Sequence, residues 1–233
     1  IYIEFNAIDE ALSAYQQASA IAKRIHIHSL QVYLYTQEAV IACMKGNFPE
    51  SYHLIEKARD IANQENMMME INMCDLEYGG IKIKEGKPHE VVELLEHACS
   101  FFESGEHKVQ SEKASLYLTL AYGQLNNHEM LFRHLLKVLA RLNEAYKPSL
   151  LIATANRYYD QLMKLRDLDY VEGQLETLFT NITNFWNELP ELRRYLRQHN
   201  LAIPFAPPVL HIRALGKMQV RVNKRPVTSA DFQ

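Results

Sequence analysis

The chain has 233 residues, 48% of them hydrophobic and 23% charged, with a formal net charge of -3. That balance is normal for a soluble globular protein and argues against a nucleic-acid-binding surface spread over the whole chain. The charge is uneven: residues 201–233 sum to +4 and residues 1–200 to -7, so a basic end follows an acidic body. No uninterrupted apolar run reaches transmembrane length, and the opening IYIEFNAIDE has neither a basic start nor an apolar signal core. Cys43, Cys74 and Cys99 are far apart and form no CxxC pair. They read as reduced core cysteines of a cytoplasmic protein.

An internal repeat dominates the chain. The stretch from Gly46 to Ala62, GNFPESYHLIEKARDIA, recurs at a spacing of 40: Gly46 pairs with Gly86, Ser51 with Val91, Ile55 with Leu95 and Ala58 with Ala98. One period earlier stand Asn6, Ala11, Tyr15 and Ala18. One period later stand Asn126, Leu131, Leu135 and Val138, then more loosely Arg166, Val171, Leu175 and Leu178. Gly or Asn at the head of each copy tolerates the left-handed backbone that ends a helix. The apolar and small residues behind it fall on one helical face.

In chain order, residues 1–24 supply the second helix of a first unit. Fuller units follow at 29–64, 68–104 and 109–145, with first helices expected over Gln31 to Lys45, Met69 to Glu85, Glu112 to Leu125 and, in a fifth unit, Leu150 to Leu165. Pro148 suits a helix start, and Pro190 is expected to open a short capping helix to Gln198. The segment LAIPFAPP, residues 201–208, has three prolines and reads as a linker. Beyond it, Leu210, Ile212 and Ala214, then Met218, Val220 and Val222, alternate around Gly216-Lys217, the pattern of antiparallel strands. The start without Met, halfway through a repeat, and the stop after a strand-like segment lead us to expect a piece of a longer protein.

The turn glycines Gly46 and Gly86, the aromatic Phe48, and the sets Ala11, Tyr15, Ala18 and Ser51, Ile55, Ala58 resemble the tetratricopeptide repeat in a long form of about forty residues. Over residues 1–200 the resemblance implies an all-α fold, a right-handed α-solenoid of helix-turn-helix repeats. The first-helix tryptophan and leucine signature is weak, and Pro88 replaces the aromatic. The tail, LHIRALGKMQVRVNKRPVTSADFQ, resembles the opening sheet of the winged-helix output domain in SARP-type bacterial transcriptional activators, through Leu215-Gly216, Met218 to Val222 and Pro226-Val227. Residues 209–233 would then be a short antiparallel β segment whose recognition helix lies beyond Gln233, so that DNA is met only through that missing C-terminal part.

In the resembled repeat the first helices line the concave groove. Carried onto this chain, the positions are Tyr33, Thr36, Val40, Cys43 and Met44; Met73, Leu76, Gly80, Ile83 and Lys84; Lys113, Leu116, Leu120, Gly123 and Gln124; and Ala153, Asn156, Asp160, Met163 and Lys164. The candidate binding residues are Tyr33, Thr36, Val40, Met44, Met73, Lys84, Lys113, Gln124, Asn156, Asp160 and Lys164, against the alternative that several of them pack internally. A protein, a peptide or a small effector would suit such a groove. The basic clamp that holds chaperone carboxylate ends is matched only at Lys113, since Thr36, Val40, Glu77 and Tyr117 occupy its other places.

No catalytic constellation emerges. The ten histidines are scattered, His26 and His28 fall on different sides of a helix, and no zinc set converges. Neither a nucleophile elbow nor a glycine-rich phosphate cradle is present, and Asn181-Ile182-Thr183 reads as a chance glycosylation match. Met67, Met68, Met69 and Met73 form a possible adaptable surface, with gap-filling between repeats the favoured account. Tyr158-Tyr159 and Phe185-Trp186 read as packing. The sequence therefore points to a cytoplasmic, non-enzymatic regulatory module without cofactor, metal or membrane contact, with a general protein-protein interaction scaffold as the alternative.

Overall fold

The computed structural model describes residues 2–3, 5, 7–143, 149–171, 173–199, 210–213, 219–222 and 225–226. They are mostly helical, with a small antiparallel sheet. The helices are α1 (Ile8–Ile25), α2 (His28–Met44), α3 (Phe48–Gln64), α4 (Met68–Glu85), α5 (Val92–Ser104), α6 (Lys108–Gln124), α7 (His128–Leu142), α8 (Ser149–Arg157), α9 (Tyr159–Arg166) and α10 (Glu176–His199). The chain divides into two compact units, Ile1–Leu189 and Pro190–Gln233. The expected linker at 201–208 and the helix start at Pro148 lie outside the described residues.

The connections explain the regularity. Left-handed backbone recurs at His26, Gly46, Asn66, Gly86, Glu106 and Asn126, every 20 residues, with φ between 53° and 86°. From Gly46 onward each of these turns makes the same pair of bonds. The left-handed residue's N–H reaches the carbonyl three residues back, as in Gly46 to Cys43 at 2.9 Å. The next N–H reaches five back, as in Asn47 to Ala42 at 2.9 Å. This is the Schellman ending, which satisfies otherwise orphaned carbonyls. At Asn47 and Asn127 the residue that completes the ending also caps the following helix, its side-chain oxygen accepting from the N–H of Glu50 and of Met130.

Successive helices pack against one another, and the even-numbered helices also touch in series, α2 on α4, α4 on α6 and α6 on α8. Helices α2, α4 and α6 are therefore buried on most sides. Every residue of α6 from Ala114 to Gly123 is buried, the signature of a helix surrounded by neighbours. The odd helices are amphipathic: α7 buries Leu131, Leu135, Val138 and Leu142 on one stripe. One hydrophobic cluster extends from α4 to α10, a second joins α2, α3 and α4, and a third holds Ile3 and Ala11 against Val40 and Ile41.

Two expectations need correction. The helix anticipated over Leu150 to Leu165 is broken at Tyr158 (φ −107°, ψ 23°) into α8 and α9. The break lies where the Tyr158 side chain turns into the core. Pro190 does not open a helix but lies inside α10. A helical proline loses one backbone bond and crowds the preceding turn. Here the preceding residue, Leu189, is 3% exposed, so side-chain burial offsets that local cost.

In the second unit, β1 (Leu210–Arg213), β2 (Gln219–Val222) and β3 (Arg225–Pro226) form a sheet in the order β1-β2-β3. Both pairings are antiparallel, with Ile212 opposite Val220 and His211 opposite Arg221. The alternation separates an apolar face, with Leu210 and Ile212 each 58% exposed, from a polar face bearing His211, Arg213 and Arg221.

Candidate functional site

The groove positions inferred from the repeat lie on α2, α4, α6, α8 and α9, and much of that surface is covered by the chain itself. Thr36 is fully buried, its hydroxyl donating to the carbonyls of Tyr33 (2.7 Å) and Val32 (3.1 Å). Lys113 pairs with the Glu77 carboxylate and lies 5.6 Å from the Tyr117 ring centroid. The Gln124 amide donates to the Ile83 carbonyl at 3.2 Å. Asn156 accepts from the Trp186 indole N–H at 2.6 Å. Met73 packs against the large cluster and Met44 against the α1–α2 cluster. Tyr33, Asp160 and Lys164 are exposed.

The element that covers the surface is the α8–α9 pair. Lys84 Nζ, at the end of α4, donates to the Arg157 carbonyl at 2.8 Å and to Gln161 Oε1 at 3.3 Å, 73 and 77 residues along the chain. The Arg157 carbonyl is available because α8 ends there. Beneath it, the Tyr158 ring meets Tyr117 edge-on with centroids 5.1 Å apart. The Tyr117 ring and the Tyr158 hydroxyl press on Gly80, where an added Cβ would come within 2.6 Å of each. Gly123 plays the same part for Leu165 of α9. Glycine on an even helix is thus what lets the later helices close in.

Val40, Cys43, Met44, Glu77, Ile81, Lys84, Arg157 and Tyr158 line the space that remains, about 20 Å³, room for about one water. Burial pushes the Cys43 thiol up to about 11, so it stays protonated and unreactive near neutral pH. Burial likewise raises the Tyr117 and Tyr158 phenols far above their usual value. Of the candidate residues, Val40, Met44 and Lys84 meet in this cavity. Tyr33, Thr36, Met73, Lys113, Gln124, Asn156, Asp160 and Lys164 are absent from its lining. Cys43, Glu77, Ile81, Arg157 and Tyr158 also line it and are not among the candidates; Cys43 and Glu77 fall on positions that the repeat places in the groove, and Tyr158 in the Tyr158-Tyr159 pair, whereas Ile81 and Arg157 carry no sequence signal.

On the other side, the odd helices leave grooves. One of about 680 Å³ runs between α1 and α3 over α2, with Leu12, Tyr35, Ile41, Ala42 and Leu54 in its lining. Another, about 340 Å³, runs between α5 and α7 over α6, where Lys137 pairs with Glu103 at 2.5 Å. Between α3 and the 3₁₀ turn Pro88–Glu90 the space is filled instead. Lys82 Nζ lies 4.4 Å from the Tyr52 centroid and 2.8 Å from Glu90, and Arg59 sits over Tyr78 at 5.2 Å. Among the described residues no three His, Cys, Asp or Glu side chains gather as a metal site, and no helix is long and apolar enough to cross a membrane.

The chain matches no protein-family model, no curated protein and no solved structure.

Proposed function

We propose that this chain is a non-enzymatic regulatory module of a bacterial transcriptional regulator. In this reading residues 1–200 form a tetratricopeptide-like right-handed α-solenoid. The solenoid takes up a protein, peptide or small effector and relays its presence to a DNA-binding domain that β1, β2 and β3 begin. The observation that carries the reading is the 20-residue recurrence of left-handed turns with even helices in serial contact, followed by a small antiparallel sheet. Helical repeats that contact only their neighbours bind partners along extended faces.

The covering of the even helices by α8 and α9 supplies a mechanism. With the pair held by Lys84 the groove is closed; an effector that binds only the open arrangement shifts the population toward it, by as much as its differential affinity allows. The polar sheet face, with His211, Arg213 and Arg221, suits phosphate contacts that position a duplex.

The test is DNA binding by this chain and by the product of the whole reading frame, each titrated with salt. Steeply salt-dependent binding by the latter alone is expected. Binding by neither overturns the reading in favour of a protein-interaction scaffold.

A further inference from the structure

The forty-residue repeat builds the same groove between successive odd helices, and at one register the chain fills two of these grooves itself. Between α3 and the turn before α5 the filler is Lys82 of α4, which is 8% exposed. Its ammonium lies 4.4 Å from the Tyr52 ring centroid, 5.4 Å from that of Tyr78 and 2.8 Å from the Glu90 carboxylate. Forty residues on, between α5 and α7, the filler is Tyr122 of α6, whose hydroxyl donates to Glu96 at 2.8 Å while its ring stacks on His134. Only the stretch nearer the start of α6, around Lys108 and Ser115, stays open there. In both grooves a long side chain rises from the middle helix and ends on a carboxylate.

Forty residues earlier the corresponding position is Ala42 of α2. A methyl group cannot reach across, and a groove of about 680 Å³ remains between α1 and α3. Its walls match the Lys82 site in register. Leu12 stands where Tyr52 does, Ser19 where Arg59 does, Glu38 where Tyr78 does and Glu50 where Glu90 does, and all four line the open groove with Ala42. The carboxylate that receives the cation is kept, and the cation is gone. Glu50 is exposed and makes no ion pair among the described residues. The two carboxylates share the lining with a single cation, Lys45. The side chain that would complete the site therefore has a definite chemistry: an aliphatic stem to lie along Leu12 and Leu54, and a positive head to reach Glu50.

We propose that the groove between α1 and α3 is a docking site for a lysine-bearing segment of a protein partner, which inserts the side chain that Lys82 supplies in the next repeat. Glu38 in place of Tyr78 exchanges attraction to a ring face for attraction to a second carboxylate. The volume exceeds what one lysine side chain fills, so residues flanking it also contact Leu12, Tyr35 and Leu54. The charge of -7 over residues 1–200 favours the approach of a basic segment. The inference is independent of the regulatory reading, since neither DNA nor the α8–α9 closure enters it.

The experiment passes heptapeptide pools, each with Lys, norleucine or Glu fixed at the centre and the flanks randomised, over the immobilised full chain. The best-retained Lys peptide is then titrated against variants, with circular dichroism as the control for folding. The Lys pool is expected to be retained about tenfold over the norleucine pool, and the Glu pool not at all. Glu50→Gln weakens the selected peptide about tenfold, while Glu93→Gln, a neutralisation on α5 outside the groove, leaves its binding unchanged. Ala42→Lys restores the filler from within, keeps the dichroism and abolishes binding. Equal retention of the Lys and norleucine pools overturns the proposal, as does binding indifferent to Glu50→Gln and Ala42→Lys. Displacement of the peptide by equimolar spermidine would show that a free polyamine suffices, and overturns the protein partner.

Discussion

At six turns one residue takes left-handed backbone, and the residue chosen differs in cost. Gly46 and Gly86 adopt it freely, while Glu106, with φ 56°, is a side chain with no local reason to favour it. A glycine does occur at this turn, one position early, for Gly105 has φ −88°. Replacing Glu106 with Gly is therefore expected to stabilise the protein by about 1 kcal/mol, and Gly86→Ala to destabilise it by about the same amount, read from urea midpoints. The same residues show how far the sequence could be read. Gly46, Gly86 and Asn126 announced a 40-residue period because their types favour the conformation. His26, Asn66 and Glu106 halve that period to 20, but His and Glu carry no such signal. A second residue-scale expectation concerns His134, which is 2% exposed, stacks on Tyr122 and bonds to Glu96 at 3.0 Å. Burial holds its imidazole below the usual value, more than the Glu96 carboxylate raises it. The unfolded chain therefore binds the proton more readily than the folded one. The stability tied to the neutral ring is present above about pH 6.5 and is lost as pH falls below that value toward the depressed folded one. A His134→Gln variant should show a flatter stability-pH profile from about pH 7 to 5, with the acid loss from carboxylates below about pH 4.5 retained.

At the scale of elements, the closed groove follows from where small residues stand on the even helices. Gly80 and Gly123 were placed on the groove by the repeat, but their role, admitting Tyr158 and Leu165, depends on helices roughly forty to eighty positions away. Nor does a proline or glycine mark the break at Tyr158; the helix stops because the ring packs inward, a tertiary effect that local propensity cannot report. By contrast the strands were legible, since alternation in LHIR and QVRV is itself the two faces of the sheet. Two substitutions probe the α8–α9 closure. Lys84→Met removes the bonds to the Arg157 carbonyl and Gln161 and is expected to cost about 1–2 kcal/mol locally. It should speed amide hydrogen exchange across residues 149–166 far more than across α2 or α3. Gly80→Ala forces Tyr117 and Tyr158 apart and is expected to cost about 1–3 kcal/mol, with the same segment becoming the first site of proteolytic cleavage. Unchanged exchange in 149–166 for both variants would mean that Lys84 and Gly80 do not govern the closure.

Over the molecule as a whole, cohesion is unequal. The cluster spanning α4 to α10 is large and tied back on itself through Lys84 and Gln124, whereas α2 and α3 rest on a smaller cluster and α1 on the smallest. In an array whose repeats touch chiefly their neighbours, stability is a sum of local terms, so unequal packing becomes unequal unfolding. The single tryptophan, Trp186, reports on one region alone, because it lies on α10 and is fixed to Asn156 of α8. Circular dichroism reports on every helix. Urea unfolding is therefore expected to be non-coincident, with helical signal from α1 to α3 lost before Trp186 fluorescence changes. Ile55→Ala, which hollows the α2–α3 cluster, should cost about 2–5 kcal/mol and move only the early dichroism phase. Leu116→Ala, at the centre of the larger cluster, should instead move the fluorescence transition by a comparable amount. Coincident curves for the unsubstituted chain, shifted together by both variants, would show a single cooperative unit in which the α8–α9 closure couples the whole array.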